Sequence, residues 1–163
     1  MPRRARNDVL VVDDDPILCN VLCDVFEHEG YTVRSAAGGE QALAALDQLV
    51  PDCVILDLAM PGMDGYEVLE LMRARKPPPR TRVVVLTAKD ERRHVLRCFE
   101  LGVFKFATKP IDPSILFLAV DKLLHMSNEE ADRERREELE MARRLAKLDA
   151  ALDEIRARGI GRG

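Results

Sequence analysis

The stretch Val54-Ile55-Leu56-Asp57-Leu58-Ala59-Met60-Pro61-Gly62-Met63-Asp64-Gly65 decides how the chain is read. Its opening residues are β-favouring and apolar on both faces, the pattern of a strand buried in the middle of a parallel sheet. Asp57 then stands at the carboxyl end of that strand, the edge of an open α/β sheet where ligands and chemistry collect. Pro61, Gly62 and Gly65 allow a tight turn close to the carboxylate. A lone aspartate in this place is only the start of a turn. Its weight depends on whether other acids and a cation arrive at the same edge.

Upstream, Asp8 to Val12 reads as a buried strand running into Asp13-Asp14-Asp15-Pro16, with Asp15 as N-cap and Pro16 opening a helix. Leu18, Val21, Leu22, Val25 and Phe26 recur at helical spacing until Gly30. Tyr31 to Ala36 is a second strand, and Gly38-Gly39 leads to a helix carrying Ala42, Leu43, Ala45, Leu46 and Leu49. Pro51-Asp52 ends it, and Cys53 to Leu56 is the third strand. Downstream, Gly65 opens a helix with Val68, Leu69, Leu71 and Met72, and Lys76-Pro77-Pro78-Pro79-Arg80 makes a stiff extended connection. Arg82 to Leu86 is a fourth strand ending in Thr87-Ala88, and Glu91 to Leu101 a helix closed by Gly102. Phe104 to Ala107 is a fifth strand before Thr108-Lys109-Pro110, and Asp112-Pro113 caps a fifth helix. Regular strand–helix alternation predicts a doubly wound parallel sheet with helices on both faces and right-handed crossovers.

The 163 residues suffice for one domain with an appendage; 47% hydrophobic and 33% charged residues fit a soluble globular protein. A net charge of −4 argues against sequence-independent nucleic-acid binding, so no nucleic-acid partner is expected. Arg3, Arg4 and Arg6 read as a solvated basic tail. No apolar run is long enough for a membrane span and no secretory signal pattern precedes Asn7, so no membrane partner and a cytoplasmic location are expected. Cys19 and Cys23 share a helix face, and with Cys53 and Cys98 they read as small buried hydrophobes rather than a redox pair or half a metal site. His28, His94 and His125 lack ligand spacing and read as surface histidines.

The informative residues lie where strands end. Asp13 and Asp14 follow the first, Asp57 the third, Thr87 the fourth and Lys109 the fifth, so parallel strands bring them to one edge. Crowded carboxylates repel unless a cation joins them. Oxygen-only ligands with places left for water suit Mg²⁺. With the ammonium of Lys109 and the hydroxyl of Thr87, they form a site for placing a phosphoryl group on Asp57, the carboxylate being the nucleophile.

Val11-Val12-Asp13-Asp14-Asp15-Pro16, Ile55 to Gly65, Val84-Val85-Leu86-Thr87-Ala88 and Thr108-Lys109-Pro110 resemble, in order and spacing, the receiver domain of two-component response regulators over about residues 7–126. The resemblance implies a flavodoxin-like five-stranded sheet of order 2-1-3-4-5. It implies that Asp57 accepts phosphate from a sensor histidine kinase or phosphotransfer protein. It implies Mg²⁺, replaceable by Mn²⁺, held by Asp14, Asp57 and the carbonyl of Ala59 directly and by Asp13 through water. Lys109 would pair with the phosphate, and its bond to Pro110 would be cis. Thr87, beside Ala88, would move towards the phosphate, and the ring of Phe106 would follow. Phe106 stands where the family usually has tyrosine, so no hydroxyl reports its state. Ala59 and Lys89 flank the site, where the family tunes dephosphorylation.

Ser127 onward holds nine Lys/Arg and ten Asp/Glu with no proline or aromatic, a charged helix-forming extension. The expected division is a tail at 1–6, a receiver at 7–126, a helical extension at 127–158 and a tail at 159–163. Met141, Leu145, Leu148, Leu152 and Ile155 follow coiled-coil spacing, so a homodimer through this helix is expected. Extending the register backwards reaches Phe117, Val120 and Leu124, which predicts one helix running uninterrupted from the fifth helix. Ser127-Asn128-Glu129-Glu130, a capping-box pattern, would instead start a new helix. The leading functional expectation is a phosphorylation-switched module, not an enzyme beyond its own phosphoryl transfer and autodephosphorylation. The alternatives are a Mg²⁺-dependent aspartyl-phosphate phosphatase, against which Ala59 counts because that class needs an acid there, and a receiver fragment joined to an output enzyme such as a diguanylate cyclase.

Overall fold

The computed structural model describes residues 7–75, 80–89 and 92–160. The expected tail at 1–6, most of the proline-rich connection, the helix start at Glu91 and residues 161–163 lie outside the described residues. Five strands, β1 (Asp8–Val12), β2 (Thr32–Ala36), β3 (Cys53–Leu56), β4 (Arg82–Thr87) and β5 (Lys105–Thr108), form one parallel sheet ordered β2-β1-β3-β4-β5. Between and after them run α1 (Pro16–His28), α2 (Gly39–Gln48), α3 (Gly65–Ala74), α4 (Arg92–Glu100), α5 (Pro113–His125) and α6 (Asn128–Ile160). The order is the one expected from the strand–helix alternation and the family resemblance.

Alternation along the strands divides the core in two. Leu10, Val12, Val54, Leu56, Val83 and Val85 point to the side covered by α2, α3 and α4. Val9, Val11, Cys53, Ile55, Val84 and Leu86 point to the side covered by α1 and α5. The three central strands are buried along their whole length, which is why they read as continuous apolar runs. Parallel pairing places the ends of β1, β3, β4 and β5 at one edge. The Asp57 N–H donates to the Val12 carbonyl at 3.0 Å, and the Lys109 N–H to the Thr87 carbonyl at 2.8 Å.

The uninterrupted helix is corrected. α5 stops at His125, Met126 is extended with ψ 146°, and α6 starts afresh at Asn128. The Ser127–Glu130 box forms: the Ser127 N–H donates to Glu130 Oε2 at 2.8 Å and the Glu130 N–H to Ser127 Oγ at 3.1 Å. The backward register fails for a physical reason. Val120 and Leu124 are fully buried in the receiver core, so they are not available to a seam that continues outside it. α6 turns past β5, at the edge of the sheet: Ala131 joins the α5 side of the core, and the helix then packs along α4. It also runs on to Ile160, further than the expected 158.

Arg82, which the sequence offered only as the first residue of a strand, holds this corner. It is 3% exposed. Its Nη1 donates to the carbonyls of Leu123 and Met126, and its Nη2 to Asn128 Oδ1 at 3.1 Å. A guanidinium at the C-terminus of α5 meets the negative end of that helix and satisfies carbonyls that helix geometry leaves over.

Candidate functional site

Asp13, Asp57 and Lys109 meet at the carboxyl edge. Lys109 Nζ lies 2.6 Å from Asp13 Oδ2 and 3.1 Å from Asp57 Oδ2. The second oxygen of each carboxylate is held by backbone two residues on: Asp15 N–H donates to Asp13 Oδ1 at 2.9 Å, and Ala59 N–H to Asp57 Oδ1 at 3.1 Å. Both carboxylates are buried, whereas Asp14 is exposed beside them. Oxygens of Asp13, Asp14 and Asp57 lie within 4.8 Å of one another.

The turn after β3 explains how Asp57 is aimed. Gly62 takes φ +73°, a left-handed conformation that suits glycine. A Cβ on Gly65 would stand 2.3 Å from the Asp57 carbonyl oxygen, so the start of α3 approaches the backbone under the acid as only glycine permits. Asp64 then caps α3 in a full capping box with Glu67.

Burial is the largest influence on Asp13 and raises its pKa; Lys109 and the Asp15 N–H pull it back only in part. Burial alone would lower the pKa of Lys109, but its hydrogen bonds to Asp13 and Asp57, with their charges, leave the ammonium above its ordinary value. Lys109 pairs with two of the three clustered carboxylates, so this cluster of described residues carries more negative than positive charge. The donors are all oxygen, a set suited to a hard divalent cation, and the cluster is compatible with one.

Thr87 lies fully buried at the end of β4, and its hydroxyl accepts from the Lys89 N–H at 3.3 Å. Ala88 is exposed beside it, as is Ala59 beyond Asp57. Phe106 is half-buried against the α4 side of the core and pairs in register with Val85. The Lys109–Pro110 bond is cis.

The cysteines stand apart from the site chemistry. Cys19, Cys53 and Cys98 are buried free thiols and Cys23 is partly buried. Burial first, and the Asp13 charge next, push Cys19 up to about 11, far from a reactive thiolate. His28 and His125 are exposed, but His94 corrects the surface reading. Its Nδ1 pairs with the Tyr66 hydroxyl, and Arg97 lies 4.1 Å over the Tyr66 ring, joining α3 to α4.

The family profile for the response regulator receiver domain matches residues 9–121. The chain belongs to the receiver domain family of two-component response regulators. The receiver is 38% identical over 125 residues to the DNA-binding response regulator MtrA of Mycolicibacterium smegmatis, covering 77% of this chain and 54% of that protein. It is 43% identical over 110 residues to a protein-glutamate methylesterase/protein-glutamine glutaminase of Anaeromyxobacter dehalogenans, covering 66% of this chain and 31% of that one. Among solved structures it is similar to the Vibrio cholerae chemotaxis protein CheY4, with TM-score 0.67 and 27% identity over 72% of this chain and 98% of the other. The chain thus spans 54% of the length of the first of these relatives and 31% of the second. Among the described residues, no helix is long and apolar enough to cross a membrane.

Proposed function

We propose that Asp57 of the 7–126 receiver accepts a phosphoryl group from a phosphohistidine of a sensor kinase or phosphotransfer protein, and that this changes the state of the domain. The observation that supports it is the single ammonium of Lys109 bridging Asp13 and Asp57, with Asp14 within ligand reach. An Asp57 oxygen attacks phosphorus and forms the P–O bond of an acyl phosphate. The P–N bond breaks, and its electron pair returns to the imidazole. Lys109 balances charge on the transferring oxygens, and the Ala59 N–H keeps the carboxylate turned towards them. Asp14, Asp57 and the Ala59 carbonyl would hold Mg²⁺, or Mn²⁺ in its place, with Asp13 bound through water. The ion would supply further positive charge to the transferring oxygens. Thr87 and Ala88 line the phosphate side, and Thr87 leaves the Lys89 N–H for the phosphate while Phe106 follows. The reaction is the domain's own phosphoryl transfer and autodephosphorylation, in the cytoplasm.

The exposed stripe of Met141, Leu148, Leu152 and Ile155 on the 127–158 extension supports a homodimer through α6. The outputs named for the relatives, DNA binding and ester hydrolysis, are not carried over, because the chain spans 54% and 31% of those proteins. The deciding experiment is incubation with acetyl phosphate and Mg²⁺ followed by intact-mass measurement. A gain of one phosphoryl group that disappears in Asp57→Asn is expected. Undiminished labelling of that variant would overturn the assignment.

A further inference from the structure

The amino edge of the sheet, opposite Asp57, holds a cavity lined by both the receiver and the extension. Its volume is about 430 Å³, within the range of small-molecule sites. A recess of about 290 Å³ adjoins it, the two sharing Thr81, Phe104 and Asp132. The floor is apolar. Leu69 and Met72 come from α3, Val83 from β4, and Leu101 and Phe104 from the turn between α4 and β5. Leu69, Met72 and Val83 belong to the buried core, so the floor is fixed from beneath.

The polar groups around this floor are of two kinds. Some are already paired. Thr81 Oγ1 donates to the Pro51 carbonyl at 2.7 Å, and Arg73 Nη1 to the Glu100 carbonyl at 2.5 Å. Arg82 is committed to the corner with Met126 and Asn128. Asp132 and Arg135 differ. Both line the cavity and are half-buried, yet neither makes a hydrogen bond or ion pair among the described residues. The Arg135 guanidinium lies 5.6 Å from the centre of the Phe104 ring. Charges partly withdrawn from water are costly until something pairs them. Exposed Arg80 adds a further guanidinium at the rim of the smaller recess.

Asp132 and Arg135 stand three residues apart on α6, so their side chains are neighbours on one face of the helix. A ligand that matches them carries an anion and a cation close together, with an apolar body that reaches the floor. An α-amino acid has that form. A simple anion would leave Asp132 facing a like charge, and a simple cation would do the same to Arg135. We propose that this cavity binds a free α-amino acid with an aromatic or branched apolar side chain. Its carboxylate pairs with Arg135, its ammonium with Asp132, and its side chain lies over Phe104. The site stands independently of the phosphoacceptor reading above. Residues 132 and 135 lie beyond the 9–121 family match, so the cavity belongs to this chain and not to the shared receiver. Occupancy ties the first turns of α6 to α3 and β4 and stabilises the folded chain.

The test is titration of the full chain with L-phenylalanine, L-leucine, phenylacetate and phenethylamine, read by amide chemical shifts. The two amino acids should give saturable shifts centred on residues 101–104 and 128–135. Phenylacetate lacks the ammonium and phenethylamine the carboxylate. Each should bind at least about tenfold more weakly than phenylalanine, the factor of one hydrogen bond to a charged group. Asp132→Asn and Arg135→Gln should each weaken phenylalanine by at least about the same factor. Leu101→Trp, which fills the cavity, should abolish its binding. Asp132→Asn and Arg135→Gln alter no core residue, so they decide the assignment even where Leu101→Trp does not fold. No saturable shift with either amino acid overturns the site. Phenylacetate binding as tightly as phenylalanine overturns the zwitterionic class of ligand, and undiminished binding by both polar variants overturns the pairing with Asp132 and Arg135.

Discussion

Two cations, one half-buried and one buried, organise two ends of this molecule, and they are held differently. At the carboxyl edge Lys109 bridges two carboxylates, is itself 23% exposed along its side chain, and has a third acid nearby. At the amino edge Arg82 is 3% exposed and is held by backbone carbonyls and an amide oxygen. The partners of Lys109 are carboxylates, charges that a metal ion or a phosphoryl group can re-pair. Arg82 donates to neutral dipoles, two carbonyls near the end of α5 and the side-chain amide of Asn128. A lysine, a compact point charge on a flexible stem, suits the first task, and a planar fork with several donors suits the second. The difference teaches where this fold can change and where it must not: the proposed switch sits on buried carboxylates paired to a lysine that reaches solvent, the corner on a buried arginine.

That contrast predicts that Arg82→Met costs more than any change at the acidic edge. It leaves the carbonyls of Leu123 and Met126 and the amide of Asn128 short of a donor, a loss of about 4 kcal/mol at roughly 1–3 kcal/mol per buried acceptor. Urea unfolding measures it, and a loss under about 1 kcal/mol would show that the corner does not depend on the guanidinium. Gly65→Ala comes next, at about 3 kcal/mol, because its Cβ meets the Asp57 carbonyl at 2.3 Å and Leu58 Cα at 2.8 Å. It should also slow phosphorylation by acetyl phosphate, since the displaced backbone carries the acceptor. Normal labelling with lowered stability would separate the turn from the aim of Asp57.

Mg²⁺ should raise stability by about 2.7 kcal/mol at a hundredfold excess over its dissociation constant, because it binds the folded edge and not the unfolded chain. Asp14→Ala should reduce that gain more than Asp13→Ala, since both oxygens of Asp13 are already engaged. Thermal midpoints with and without the metal check this, and equal midpoints in the parent would contradict the site. The smallest effect is expected from Leu152→Lys. Exposed on the distal part of α6, it should change folding stability by no more than about 0.5 kcal/mol. It should nevertheless abolish self-association in sedimentation at tens of micromolar, and a monomeric parent under those conditions would remove the dimer.

Much of the site was legible because it is built from strand ends. A run such as Val9 to Val12 or Val83 to Leu86 announces a buried parallel strand, and the residue after it must stand at the carboxyl edge. Asp13, Asp57, Thr87 and Lys109 are therefore brought to one edge by pattern alone. What pattern does not supply is which atoms touch. Lys109 spans Asp13 and Asp57 together, while the Thr87 hydroxyl is turned to the Lys89 N–H. His94 was misjudged because spacing between histidines says nothing about a tyrosine on a neighbouring helix.

α6 shows the other side. Local propensity marked residues 128 to 158 as helical, and Ser127 to Glu130 spelled a start signal, because caps and helix formers act within a few residues of chain. Whether α5 ran straight into it was not a local question. A heptad register could be traced through Phe117, Val120 and Leu124, but the receiver core had already buried Val120 and Leu124. Those side chains gain more by leaving water inside the domain than a sparse charged seam could return. Arg82, an ordinary strand residue in sequence, reaches across to the end of α5 only once the sheet and helix are packed. Sequence alone thus determined the strands, the acidic edge and the helical character of the extension. Tertiary packing decided that the extension bends back at Met126 and lies on α4, because long-range burial outweighs a short-range repeat.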